Sequence, residues 1–176
     1  MRISPTFVAP ARAGTSIVLR PVEVGDVGRG LLEVLDQLSA AGVAGLSVER
    51  GRELIEEMVG RGVERLWVAV RGEEGNEEVI GAATLVVEQK LIHGGRRAGR
   101  IEDVVVERRC RRRGIGRMLI ERLCRLAAEL GCYKVVLCCD PRNTGFYERC
   151  GFREHDVGMR LDIADRGASG RTEWTG

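Results

Sequence analysis

The sequence predicts an α/β (α+β) domain: a mixed, mostly antiparallel sheet flanked by helices. Three observations lead there. β-Rich runs at 66–70, 79–88 and 100–106 follow one another with only polar, Gly-containing turns between them, as antiparallel neighbours do. The pattern then switches to strand, loop, helix and strand over 104–139, a connection long enough to make its two strands parallel by a right-handed crossover. The chain of 176 residues is most simply one domain with a real core. We place that domain at 15–163. The stretches 1–14 and 164–176 are rich in Gly, Ala, Ser, Thr and Arg without periodicity, and are expected to be flexible tails.

Each element has its own signal. Residues 17–20 read as a short strand. Asp26 reads as the N-cap of a helix whose Val27, Leu31, Val34, Leu35 and Leu38 share a face. A second helix is predicted over 47–59, with Leu54, Ile55, Met58 and Val59 apolar and Gly60 or Gly62 as its stop. The hairpin 66–70 and 79–88 follows, then a turn over 93–99 and the strand 100–106. Residues 115–130 are helix-periodic through Leu119, Ile120, Leu123, Leu126, Ala127 and Leu130, and stop at Gly131. A strand at 133–139, a short helix at 143–150 ending at Gly151, and a last strand at 152–163 complete the prediction.

Composition limits the function classes. Hydrophobic content of 44% and charged content of 31% describe an ordinary globular protein, and a net charge of +2 does not suit a chain built as a whole to bind a polyanion. The six cysteines form no C-x-x-C pair and the two histidines lie far apart, so neither a zinc site nor a disulfide framework is expected. No stretch reaches the roughly 18 apolar residues that span a bilayer. An intracellular, cytoplasmic protein with reduced thiols and no membrane partner is the expectation.

The most informative segment is Arg111, Arg112, Arg113, Gly114, Ile115 and Gly116, between the apolar Val104, Val105 and Val106 and the 115–130 helix. A strand, a basic Gly-punctuated loop and a helix N-terminus aim free N–H groups and the positive end of a helix dipole at an anion. Gly114 and Gly116 would let a phosphate approach the backbone. A basic surface run for nucleic acid is the rival reading, but aromatics are only 4% of the chain, too few to supply stacking platforms.

Arg111-x-x-Gly114-x-Gly116 resembles the signature loop of the GNAT superfamily of acetyl-CoA-dependent N-acetyltransferases. Three more segments are similar to its glucosamine 6-phosphate N-acetyltransferases: Glu88 to His93, Ile101 to Val106, and Gly131 to Leu137 continuing through Asn143 to Gly151 and Phe152. The resemblance implies a GNAT fold, acetyl-CoA as acetyl donor, no metal, glucosamine 6-phosphate as acceptor on the way to UDP-N-acetylglucosamine, and a homodimer whose sugar sites draw on both subunits.

It also implies site residues. Backbone from Arg111 through Gly116 would cradle the pyrophosphate of coenzyme A, and Val104, Val105 and Val106 would hold its pantetheine arm as an added strand. Asn143 would contact the cofactor. Tyr147 would approach its sulfur and protonate the departing thiolate, which a phenol titrating near 10 can do. A backbone N–H near Val104 would stabilise the oxyanion. Lys90, Leu91, Ile92 and His93 would belong to the sugar site, with Ser39 near the sugar phosphate. For His93, turn solubility is the competing explanation.

Glu102 and Asp103 would lie beside the amino sugar; in a strand they alternate, so at least one is expected to face the interior or a cleft, where a structural salt bridge is the other possibility. Cys138 stands where relatives carry a carboxylate near the reacting amine, and Asp162 where an Arg often binds the sugar phosphate, with Arg160 as a substitute. A GNAT enzyme for another small amine or a protein N-terminus, and a non-catalytic acetyl-CoA-binding protein, are the alternatives these departures leave open.

Overall fold

The computed structural model describes residues 7–9, 16–38, 43, 45–73 and 75–161. Six strands form one sheet in the order β1-β2-β3-β4-β5-β6. They are β1 (Phe7–Ala9), β2 (Ile17–Pro21), β3 (Glu64–Arg71), β4 (Glu78–Gln89), β5 (Arg97–Val106) and β6 (Cys132–Val136). Neighbours from β1 to β5 are antiparallel and β5 with β6 is parallel, as the switch in pattern predicts. Phe7–Ala9, inside the segment expected to be a tail, pairs with β2 and forms the sheet edge.

The first predicted helix is corrected. Asp26 does not cap it; it sits inside a 3-10 turn, Val24–Arg29, capped by Glu23. Its carboxylate is fully buried, gripped by both terminal nitrogens of Arg20 at 2.7 Å, and accepts from the Glu23 N–H at 2.8 Å. Gly30 then takes a left-handed φ of 98°, so α1 (Leu31–Leu35) starts afresh and is short. The second helix, α2 (Val48–Arg61), matches its signals. Ser47 accepts from the Arg50 N–H at 3.1 Å, and Gly62, left-handed at φ 64°, ends it.

Alternation, reset in β4 by a register shift opposite Ala69 and Val70, sorts the strand residues into two cores. On one face Leu19, Trp67, Ala69, Ile80, Leu85 and Ile101 pack against α4 (Ile115–Glu129) through Ile115, Leu119, Ile120, Leu123, Leu126 and Ala127. On the other, Val68, Val70, Val79, Ala82 and Val105 meet Val27, Leu31, Val34 and Ile55. Arg122 of α4 is itself buried, its guanidinium 4.4 Å from the centre of the Trp67 ring, which fixes the helix against β3.

Later elements depart from expectation in ways that matter to the site. The turn before β5 is tighter than 93–99. Lys90 N–H reaches Arg96 O at 3.2 Å around a single turn, α3 (Ile92–Gly95), broken by left-handed His93 and Gly94, and β5 begins at Arg97. Strand β6 ends at Val136, leaving Cys138 beyond it. The short helix divides into a 3-10 turn, Pro141–Asn143, and α5 (Thr144–Glu148). Residues 152–161 form no strand; Asp156 adopts a left-handed φ of 59° that interrupts the extended run.

Candidate active site

The site begins with an irregularity in β5. Thr84 pairs with Glu102 and Ala82 with Val105, so Asp103 and Val104 together face the single Ala83. This is a β-bulge, and Asp103 takes the left-handed φ of 53° that the extra residue needs. It moves Val105 into the core opposite Ile101, whereas simple alternation would keep them on one face. The bulge also corrects the expectation for the two carboxylates. Neither Glu102 nor Asp103 enters the interior, because pleat alternation fails where Asp103 leaves extended geometry.

Strands β5 and β6 pair only as far as Arg100 with Val136. Beyond that β6 stops while β5 runs on to Val106, so the β6-facing edge of β5 lies open there, without a strand partner among the described residues. At the wide end, Glu107 caps a 3-10 turn, Arg108–Cys110, and the loop leads through left-handed Arg112 (φ 62°) and Gly114 (φ 83°) into α4. No described side chain caps α4, so its first N–H groups remain available to an anion next to the exposed Arg111, Arg112 and Arg113. The carbonyl of Val106 accepts from Arg111 Nε at 2.9 Å, which withdraws that carbonyl from strand addition and leaves Val104 as the freer edge residue.

The two glycines act differently. A Cβ on Gly114 would meet nothing within 4 Å, so Gly114 is required by its left-handed backbone. A Cβ on Gly116 would stand 3.3 Å from Phe146 Cζ, so Gly116 lets α5 approach the first turn of α4. Phe146 stacks edge-on to Tyr147, 4.9 Å between centres, and Tyr147 to Phe152 at 6.1 Å. The phenol is half-buried, and burial, followed by the nearby Cys139 and Cys150 thiols, pushes its pKa up. Tyr147 therefore holds its proton at neutral pH and can give it to a thiolate. Asn143, the last residue of the preceding 3-10 turn, is exposed beside it.

The residues expected around the sugar are partly joined. Lys90 contacts Glu88, Glu88 lies 3.9 Å from Arg100, and Arg100 Nε is 3.0 Å from Glu102. The Lys90 ammonium lowers the Glu88 pKa. Sequence reasoning misses Glu88 and Arg100 as site residues, although the i, i+2 charges 88/90 and 100/102 on paired strands are a readable signal. His93 turns instead to Tyr133, 4.6 Å between ring centres, while Leu91 and Ile92 are exposed. This turn and the Arg/Gly loop lie at opposite ends of β5, ten residues or about 30 Å apart. One chain does not bring them together.

A cleft of about 1050 Å³ lies between β6 and residues 152–160, lined by Cys138, Cys139, Tyr147 and Arg160 among others. The Arg/Gly loop and Glu102 lie outside it. Cys138 is exposed, and the nearest following carboxylate, Asp140, is bound at two oxygens by Arg142, which drops its pKa to about 2. Asp140 is thereby a poor base. Ser39 and Asp162 lie outside the described residues. None of the described helices is long and apolar enough to cross a membrane.

Comparison with known proteins supplies the family. Residues 44–152 match the model of the acetyltransferase (GNAT) family. Glucosamine 6-phosphate N-acetyltransferase 1 of Oryza sativa subsp. japonica is 39% identical over 161 residues, 89% of this chain and 96% of that protein. The crystal structure of glucosamine-6-phosphate N-acetyltransferase from Arabidopsis thaliana superimposes with a TM-score of 0.77 at 30% identity, over 84% of this chain and 99% of that one. A predicted acetyltransferase from Clostridium acetobutylicum, solved with acetyl-CoA, shares the fold at TM-score 0.63 and 20% identity, over 83% of this chain and 96% of that one. The chain belongs to the acetyltransferase (GNAT) family.

Proposed function

We propose that this protein transfers the acetyl group of acetyl-CoA to the 2-amino group of glucosamine 6-phosphate, a step toward UDP-N-acetylglucosamine. The observation that carries the reading is the uncapped N-terminus of α4 at the open end of β5, with Tyr147 held against it through Phe146 and Gly116. The substrate rests on the likeness to the rice enzyme along most of both chains. The residues fit the donor: exposed arginines and free helix N–H groups suit a pyrophosphate, and the unpaired edge at Val104 suits an amide-bearing arm.

Acetyl-CoA supplies an activated acyl group; the protein orients it and manages the protons. Val104 N–H faces the charge that develops on the acetyl oxygen, and Tyr147 delivers a proton to sulfur. Cys138 replaces a carboxylate and Asp140 is held ionised by Arg142, so the base role falls to Glu102 or Asp103 acting through water, or to a backbone carbonyl holding the neutral amine. Lys90 and Arg160 are the cations for the sugar phosphate, with His93 in the same segment as Lys90.

The working form is a homodimer. Its support is the far edge of β6, which has no strand partner among the described residues, and the alternating Val157, Met159 and Leu161, which are 84%, 92% and 66% exposed. Six free cysteines suit a reducing, cytoplasmic setting. The test is purified protein with acetyl-CoA and a panel of amines, measuring free thiol with time. We expect release with glucosamine 6-phosphate. Release only with another amine relocates the substrate within the family; coenzyme A binding without any release makes the protein a non-catalytic binder.

A further inference from the structure

The entrance to the cofactor loop is held from the far side of the sequence by one side chain. Gln37 follows α1, whose Leu31 and Val34 are locked into the second core at 1% and 2% exposure. Its amide nitrogen donates to Glu107 Oε2 at 2.5 Å, and its amide oxygen accepts from the Arg108 N–H at 3.0 Å. Glu107 uses its other oxygen to accept from the Arg109 N–H at 3.4 Å, capping the 3-10 turn that opens the loop, and its own N–H is tied to Ile80 O at 2.9 Å. The Gln37 bond lowers the Glu107 pKa, so the carboxylate remains an acceptor throughout the working range. The Gln37 amide nitrogen also makes a longer bond, to Glu33 O at 3.3 Å.

Two amide atoms thus meet a carboxylate oxygen and a backbone N–H in a closed ring across 70 residues of sequence. Glu107 is the last residue before the Arg-rich turn, and a carboxylate so close to a phosphate site would be unfavourable unless it had a structural use. We propose that Gln37 is a positioning residue for the donor site: through Glu107 and Arg108 it fixes the start of the Arg/Gly loop, and with it the direction of the backbone N–H groups offered to the pyrophosphate. The inference rests on the coenzyme A reading of that loop. It gives α1, whose Leu31 and Val34 already share a core with Val105 of β5, a second role, in donor affinity.

A charge exchange tests it. Gln37→Glu alone sets two carboxylates against each other. Glu107→Gln alone sets two amide donors together if the oxygen at position 107 keeps its cap on Arg109. The double variant, Gln37→Glu with Glu107→Gln, restores the ring with the roles reversed. The new amide at position 107 keeps the Arg109 cap through its oxygen and donates through its nitrogen to the new carboxylate at position 37. That carboxylate accepts from the Arg108 N–H as well.

Coenzyme A affinity is measured by calorimetry, with the KM for each substrate, kcat and the melting temperature. Each single variant should weaken coenzyme A binding and raise the acetyl-CoA KM about tenfold, as loss of a charged hydrogen bond allows. The sugar KM should move less than about twofold, and the double variant should return to within about threefold of wild type. Singles that bind coenzyme A as wild type does overturn the proposal, as does a double variant that merely adds the two losses. A wild-type protein that binds no coenzyme A would fail the underlying reading instead, before any variant is made.

Discussion

Tyr147 is the residue on which chemistry and environment meet. In the proposed reaction its phenol donates a proton to the leaving thiolate, and burial favours the neutral form that can do so. Tyr147→Phe keeps the ring stacked on Phe146 and Phe152 and removes only the hydroxyl. We expect kcat to fall by about 100-fold while coenzyme A affinity changes by less than about twofold. The sign of the pH effect follows from the raised pKa: the donor is intact below it and lost as pH climbs through it. The alkaline limb of kcat due to this group should therefore begin above its ordinary value of 10.0 and be absent in Tyr147→Phe. Steady-state kinetics beside calorimetry decides; equal losses in kcat and in binding would remove the leaving-group role. Cys138 is legible in the sequence as a departure at this scale, but the reason Asp140 does not replace it is not. A bidentate partner two residues away, in an irregular turn, leaves no periodic trace in the sequence.

Among the elements, the strand-loop-helix unit is the most readable, because Gly114, the arginines and the periodic α4 each constrain the same short stretch. The sequence suggests one purpose for its two glycines and the structure gives them two, which separates their variants. Gly114→Asn places a residue tolerant of left-handed backbone in open space, while Gly114→Val forces a β-branched residue to φ 83°. The first should keep coenzyme A affinity within about threefold and the second lower it more than about tenfold, since misdirected N–H groups lose their hold on phosphate. Gly116→Val fails by volume instead: it pushes Phe146 and α5 away, so kcat should drop about tenfold through Tyr147. Calorimetry and kcat on the three proteins check this; a Gly114→Asn variant as weak as Gly114→Val would deny the conformational role. The bulge in β5 cannot be read beforehand, because Ile101 to Val106 looks like a regular strand and the extra residue is revealed by its pairing with β4, the left-handed Asp103 and the opposing cores on Ile101 and Val105. The helix expected from Asp26 fails for a related reason. A tertiary partner, Arg20 of β2, takes the carboxylate that local signals assign to an N-cap.

At the scale of the whole molecule, β6 ends the sheet, and its far edge has no strand partner among the described residues. The predicted last strand has strand-like composition, but residues 152–161 do not pair with the free edge of β6, because left-handed Asp156 interrupts the extended run. Val157, Met159 and Leu161 recur every second residue, the spacing of one face of an extended segment, and all are largely exposed. The sugar side makes the same demand from another direction. Lys90 to His93 stand at the opposite end of β5 from the Arg/Gly loop, about 30 Å along the strand, a distance that the pantetheine arm of the donor spans only in part. Both facts are met if a second copy covers the β6 edge and brings its own 90–93 turn toward this chain's Tyr147. Met159→Glu places a charge in the middle of the apolar row, where a dry interface would have to desolvate it, and should weaken the dimer by at least about 100-fold. Light scattering across a dilution series reads the assembly state, and calorimetry and thiol release are run on the same samples. The monomeric variant should still bind coenzyme A, because the loop and α4 belong to one chain, yet acetylate glucosamine 6-phosphate with a strongly raised KM for the sugar. A wild-type protein monomeric at micromolar concentration, or a monomeric variant with an unchanged sugar KM, would show that the site is complete in one copy.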